Sequence, residues 1–390
     1  MKVLFIEWES YGYQDIKEAF AEEGHELVCF PFKVFGHQGE ELLHDRETEG
    51  RLQSMLRKEV PDVVFSMDYF PVISTVCQKE DVRYISYNYD CPHVLLYSNT
   101  IVNPCNMIYV FDKETYLEYH RAGISTVHYM PLAVNTKRLD ALDREQGVLA
   151  SPMYDVSFVG SLYLEKGNYF DQIEPVLPER ARGYLKALIM IQLKISGYDL
   201  VQEMLPAILD DLYRAYPVEP MRDSVEPINF FYEQHVINRR ITAIERIDLL
   251  EAVAQKYPVD VFTHIRDIPL RGIRVHGGVD YLREMPLIFK RSKIDLNISG
   301  RLIKSGIPLR AFDVMGAGGF LLSNFQADLL DLFVPGEDFV YFESKEDMLG
   351  KIGYYLTHEE ERQAIAKNGH DKVAAGHTYR HRVREMLSYL

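Results

Sequence analysis

Residues 294–325 read Ile294-Asp-Leu-Asn-Ile-Ser, a loop, Gly306-Ile-Pro-Leu-Arg-Ala-Phe-Asp-Val-Met-Gly-Ala-Gly-Gly, then Phe320-Leu-Leu-Ser-Asn. The run of residue types predicts a strand, a loop, a short helix, a glycine turn and a second strand. Pro308 has a φ already suited to a first helical turn, and Gly316, Gly318 and Gly319 form a left-handed stop before the buried β run. A helix that starts in a loop after a parallel strand turns its unpaired N–H groups and partial positive charge toward a ligand. A diphosphate suits such an end. Arg310 and Asp313, three residues apart, share a helix face. The guanidinium suits phosphate oxygens and the carboxylate, one turn deeper, suits ribose hydroxyls. The alternative for the pair is an exposed ion pair worth a few tenths of a kcal/mol.

Working outward, short apolar runs at Val3–Ile6, Leu27–Phe30, Val63–Ser66, Tyr84–Tyr87, Met107–Phe111 and Val127–Met130 alternate with amphipathic stretches. Continuous apolar character marks strands covered on both faces, hence a parallel sheet flanked by helices. Residues 140–152 read as a linker. A second α/β unit opens at Asp155-Val-Ser-Phe-Val-Gly-Ser, and about 165–256 turns helical, an inserted subdomain. Strand-like runs return at Val259–Thr263, Ile273–His276, Ile294–Ile298, Phe320–Ser323 and Phe339–Phe342. The expected fold class is therefore α/β with two Rossmann-like parallel-sheet domains, residues 1–150 and 151–375, and a terminal helix over 376–390. At 390 residues the chain suits two cores, with a cleft between them.

The formal charge of −15 argues against nucleic acid as a partner, because binding a polyphosphate surface needs a basic stripe. Four cysteines, Cys29, Cys77, Cys91 and Cys105, without a Cys-x-x-Cys pair, read as buried reduced thiols and point to the cytoplasm. No apolar run is long enough to span a membrane, and the amino terminus runs straight into a strand.

Several of these residues also carry a resemblance. Asn297-Ile-Ser, Leu309-Arg-Ala-Phe-Asp-Val-Met-Gly-Ala-Gly-Gly-Phe, Tyr354-Tyr-Leu and His377-Thr-Tyr resemble the carboxyl half of the CgeB-like (spore maturation) glycosyltransferases. Phe5-Ile-Glu-Trp, Tyr89-Asp-Cys-Pro-His, Leu96-Tyr-Ser and Met130-Pro-Leu-Ala-Val-Asn resemble the amino-terminal domain usually fused to it. The resemblance implies a GT-B fold and a nucleotide-sugar donor held mainly by the second domain, and the donor expected is a UDP-sugar. It also implies a polysaccharide or protein acceptor of the cell or spore envelope. By position Asp313 matches the acidic residue that contacts the donor ribose. The motif's earlier acidic position has no counterpart between Lys304 and Gly306, which leaves the stereochemistry open. The terminal helix of such proteins commonly crosses back onto the first domain.

Further donor-side candidates are Gly160 and Ser161, where a residue without a side chain permits close approach to phosphates; Thr263, at the end of a strand, with His264 weaker; and His276 and Val279, in a stretch that resembles the base-binding one, with Tyr281 as a stacking alternative. Asn297 and Lys304 complete the set. On the acceptor side a general base needs a carboxylate or imidazole within about 3 Å of the hydroxyl. Asp90 is the first choice, His93 the second, Glu7 a third that also suits sugar hydroxyls, and Asp68 a weaker rival. Trp8 is either a sugar platform or core. His377 and His381 have metal-compatible i,i+4 spacing, but no third ligand stands out. With no Asp-x-Asp, dinucleotide fingerprint or P-loop, the reading is a metal-independent glycosyltransferase without a cofactor. A sugar-nucleotide epimerase and a non-catalytic binding protein are the alternatives.

Overall fold

The computed structural model describes residues 1–33, 45–146, 152–165, 167–221, 223–265 and 271–390. The chain divides into two compact units, 1–133 with 219–228 and 378–390, and 134–218 with 229–377.

In the first unit β1 (Lys2–Glu7), β2 (Glu26–Pro31), β3 (Val63–Met67), β4 (Arg83–Asn88), β5 (Asn106–Val110) and β6 (Val127–Tyr129) form a parallel sheet of order β2-β1-β3-β4-β5-β6. Val3, Leu4, Phe5, Val63, Val64 and Phe65 are wholly buried, as strands covered on both faces require. The chain steps from β1 out to β2 and then back past β1 to β3, so the strand order reverses between β1 and β3. The helix Tyr379–Leu387 packs on the helix Tyr13–Glu22. There Arg380 and Arg384 each reach Glu23 at 2.6 Å, and Arg382 donates to the carbonyls of Pro131 (2.7 Å) and Leu132 (3.2 Å).

In the second unit β7 (Tyr154–Val159), β8 (Val259–Phe262), β9 (Arg274–His276), β10 (Ser292–Asn297), β11 (Leu321–Asn324) and β12 (Val340–Phe342) pair in parallel in the order β12-β11-β10-β7-β8-β9. The chain lays β8 and β9 on one side of β7 and then returns to place β10, β11 and β12 on the other. The reversal falls between β7 and β10, the crevice position where open α/β sheets take ligands. The helical stretch is the crossover from β7 to β8. It holds its own core of Leu185, Leu205, Leu212, Tyr232, Ile237 and Ile241 and includes a π-helix, Phe231–Asn238.

Several expectations need correction. Residues 140–146 are not linker but the end of the helix Thr136–Gln146, while 147–151 lie outside the described residues. Within the expected insertion, 219–228 group with the first unit, where Ser224 bridges to Ser98. Pro308 caps the key helix, Leu309–Gly316, instead of opening its first turn. Gly316 is helical and packs where a Cβ would stand 2.8 Å from the Val134 methyls; the left-handed residue is Gly318, at φ 77°. All four cysteines are free, but Cys29 and Cys91 are only partly buried. His377 ends one helix and His381 lies in the next, so the i,i+4 spacing does not put them on one helix. Among the described residues no helix is long and apolar enough to cross a membrane.

Candidate functional site

The reversal point of the second sheet is built from Arg310, Gly160 and Asn297. β7 ends at Val159, and Gly160 follows with φ 152°, its N–H bonded to the Phe262 carbonyl at 2.9 Å. A Cβ on Gly160 would lie 2.8 Å from Arg310 Nη2. Glycine is therefore what lets the guanidinium lie against the β7 turn. Arg310 also stacks on the buried Phe158 ring at 4.8 Å and donates through Nη1 to Asn297 Oδ1 at 3.2 Å. Asn297, wholly buried at the end of β10, is itself fixed by donating to Ser299 Oγ (3.1 Å) and Ser323 Oγ (2.9 Å). A cation on a rigid base thus sits at the carboxyl ends of β7 and β10. The helix Leu309–Gly316 begins beside it with no side-chain cap, and such an end attracts anions.

Asp313, one turn on, is buried and accepts from Tyr281 Oη at 3.3 Å. Lys304 lies half-buried in the preceding loop. Thr263 follows β8, and its buried hydroxyl has no hydrogen-bond partner among the described residues. Ser161 holds its turn by accepting from the Tyr163 N–H at 3.0 Å. The His276 ring stacks on Phe262 at 4.4 Å and its Nε2 meets Asp260 Oδ1 at 2.8 Å, beside the Arg274 ion pair. Val279 lies half-buried in the following loop, and His264 packs against Gly278, where a Cβ would collide with its ring.

Arg246 is the residue that sequence reasoning missed. It is buried, stacks on Phe158 (5.5 Å) and Tyr163 (5.1 Å), and donates to the carbonyls of Ile298 (3.0 and 2.7 Å) and Ser161 (2.6 Å). It thereby ties the turn after β7 to the turn after β10. Burial pulls its guanidinium below its ordinary value, opposed by Tyr163 and Glu245. The available signal was its position, four before Leu250 and seven before Val253, on the apolar stripe of its helix. Arg246→Met leaves those carbonyls unpaired, and the expected loss is about 2–3 kcal/mol of stability, measured by denaturant titration.

In the first unit Asp68, Asp90 and His93 come together. One ligating atom from each lies within 4.8 Å of the others. Asp68 follows β3 at φ 55°, and its Oδ1 accepts from the N–H groups of Tyr89 (2.7 Å) and Asp90 (3.0 Å), while Oδ2 is buried with no hydrogen-bond partner among the described residues. Burial, then the Asp90 charge, pushes the Asp68 carboxyl well above its ordinary value. His93 Nε2 lies 2.9 Å from the Tyr69 carbonyl, so that nitrogen carries the proton. Burial lowers the His93 pKa, against the pull of Asp90. Two carboxylates and an imidazole can move a proton or ligate a divalent cation.

Glu7 is not in this group; it pairs with Lys17 at 2.6 Å. Trp8, partly buried, donates to the Met67 carbonyl at 2.7 Å and packs edge-on against Phe70 at the side of the core.

The Asp68 shift carries a prediction. A carboxyl whose folded pKa is raised favours folding below the ordinary value of 3.8, and this contribution is lost as pH rises through the folded value. Asp68→Asn lacks that titration. The melting temperature of the variant minus that of the wild type is expected to increase as pH rises above 3.8, as read by calorimetry at each pH.

Residues 239–388 match a family described as glycosyl transferase-like. No curated protein matches the chain. Among solved structures, HepE of Anabaena in complex with UDP-glucose is 11% identical over 100% of both chains, with TM-score 0.54. A glycosyltransferase from Rickettsia africae is 10% identical over 100% of this chain and 97% of its own, with TM-score 0.52. Sucrose-phosphate synthase from Thermosynechococcus elongatus is 11% identical over 100% and 98%, also with TM-score 0.52. The likeness establishes the fold: two parallel-sheet α/β domains of the GT-B type.

Proposed function

We propose that the chain is a glycosyltransferase that takes a UDP-sugar on its second unit and passes the sugar to an acceptor hydroxyl deprotonated from its first. The observation that carries this is the Arg310 guanidinium held on Phe158, Gly160 and Asn297 at the β7/β10 reversal, beside a helix start with no side-chain cap. The leaving diphosphate gains negative charge as the glycosidic bond breaks, and a preorganised cation with helix N–H groups stabilises that charge. Asp313, steadied by Tyr281, suits ribose hydroxyls. Two findings support the donor class: the glycosyl transferase-like match contains Asn297, Lys304, Arg310 and Asp313, and HepE, which shares the fold, is seen with UDP-glucose.

Asp90 is assigned as the base, with His93 beside it and Asp68 as the buried partner. The assignment to CgeB-like proteins, with a polysaccharide or protein of the cell envelope as acceptor, follows the sequence resemblance, and catalysis without a metal follows from the sequence having no Asp-x-Asp motif. The test is a thermal-shift panel of UDP, other nucleotides and UDP-sugars. A UDP-sugar at a hundredfold its dissociation constant adds about 2.7 kcal/mol of stability. Selective stabilisation by uridine ligands, with donor hydrolysis above background, is the expected result. No stabilisation by any nucleotide overturns the reading, and conversion of one UDP-sugar to another without acceptor replaces it with an epimerase.

A further inference from the structure

The β7–β8 crossover contains a cavity of about 180 Å³, lined by Tyr163, Tyr169, Phe170, His235, Arg239 and Arg240. Its residues come from the turn just after Ser161, from the short helix Tyr169–Ile173, and from the π-helix Phe231–Asn238 with the first turn of the following helix. π-Helical turns recur at functional sites because they re-aim side chains within a helix. Tyr163 itself holds a left-handed φ of 53°, a conformation that costs energy in a non-glycine residue and here is braced by the Ser161 hydroxyl.

The wall carries two cations, Arg239 and Arg240, against one carboxylate, Glu165. Arg239 stacks on Tyr163 at 5.5 Å and Arg240 on Phe170 at 4.9 Å, and among the described residues neither guanidinium meets a carboxylate. The wall's own acid, Glu165, is engaged by Ser161 Oγ at 3.2 Å. Arg239 is exposed and Arg240 half-buried, each stacked on a different ring, and a planar guanidinium fork suits a carboxylate better than a point charge does. The aromatic walls offer flat apolar surface to the C–H face of a ring, and the volume has room for one pyranose. The cavity is also joined to the Arg310 site by alternating rings and cations: Arg310 and Arg246 both stack on Phe158, and Arg246 and Arg239 both stack on Tyr163.

We propose that this cavity binds a sugar ring bearing a carboxylate, a uronic acid, with Arg239 and Arg240 on the carboxylate and the aromatic side chains on the ring. The inference rests on the glycosyl-transfer reading in that the bound ring is a reacting partner, either the glycosyl part of the donor or a residue of the acceptor.

Calorimetric titrations with UDP, UDP-glucose, UDP-glucuronic acid, glucose and glucuronic acid test it, on wild type and on the double variant Arg239→Gln with Arg240→Gln. At low salt one acid is expected to bind about tenfold or more tightly than its neutral counterpart, a preference that salt weakens. The double variant is expected to lose that preference while its affinity for UDP, which also reports folding, stays unchanged. A preference within the UDP-sugar pair places the acid on the donor; one within the free-sugar pair places it on the acceptor. Absence of a preference in both pairs, or its survival in the double variant, overturns the assignment. If UDP does not bind but glucuronic acid keeps its Arg-dependent preference, the donor reading fails and this one stands.

Discussion

Arg310→Ala is expected to lower kcat by about 10²–10³, the loss that follows removal of one preorganised charge-stabilising donor, and also to weaken UDP binding. The physical reason lies in how the side chain is held. Its guanidinium is planar against Phe158, bonded to Asn297 and seated over a residue with no Cβ. Little reorganisation then remains when charge develops on the leaving group. Arg310→Lys is expected to restore only part of the activity, because an ammonium neither stacks nor bonds through two nitrogens in one plane. Steady-state kinetics with calorimetric UDP affinity, on protein whose circular dichroism matches wild type, provides the check. Wild-type turnover and affinity in Arg310→Ala would remove the residue from the site.

The second large effect is expected at Asp90. Asp90→Asn is predicted to reduce kcat by about 10²–10⁴, the range for a positioned general base, with UDP affinity unchanged. Asp68 is fully buried and its carboxyl is raised, so it is poorly suited to meet an acceptor, whereas Asp90 is part-exposed and its backbone N–H anchors it to Asp68 Oδ1 at 3.0 Å. That anchor is a main-chain bond and survives the substitution, so the variant tests chemistry more than placement. Should Asp90→Asn retain activity while His93→Ala loses it, the base is His93, whose Nε2 is already committed to the Tyr69 carbonyl.

Much of the first sheet was legible in the sequence because strands buried on both faces are mostly apolar, as the runs at 3–6 and 107–111 are, whereas the second sheet's strand at 294–297 carries Asp295 and Asn297 among its apolar residues. The short helix after Ile294–Ser299 was legible too, since proline and glycine leave few backbone choices. Its fine register was not: whether Pro308 caps or enters the helix depends on one ψ angle, 151° here, which residue type does not set. Residues 140–146, the end of the helix Thr136–Gln146, were read as linker because their charged residues resemble loop composition, while Leu139 and Leu142 are buried.

From its residues alone the chain fixed an α/β architecture, a phosphate-suited strand-loop-helix segment and a set of carboxylates at strand ends, because periodicity and backbone preference are local properties. Tertiary structure decided which of those residues meet. It brought Asp68, Asp90 and His93 into one cluster, gave Glu7 to Lys17 and His276 to Asp260, and put Arg246 across two turns. Such partnerships depend on strand order and on where each crossover returns the chain, and strands distant in sequence become neighbours only when the sheet closes.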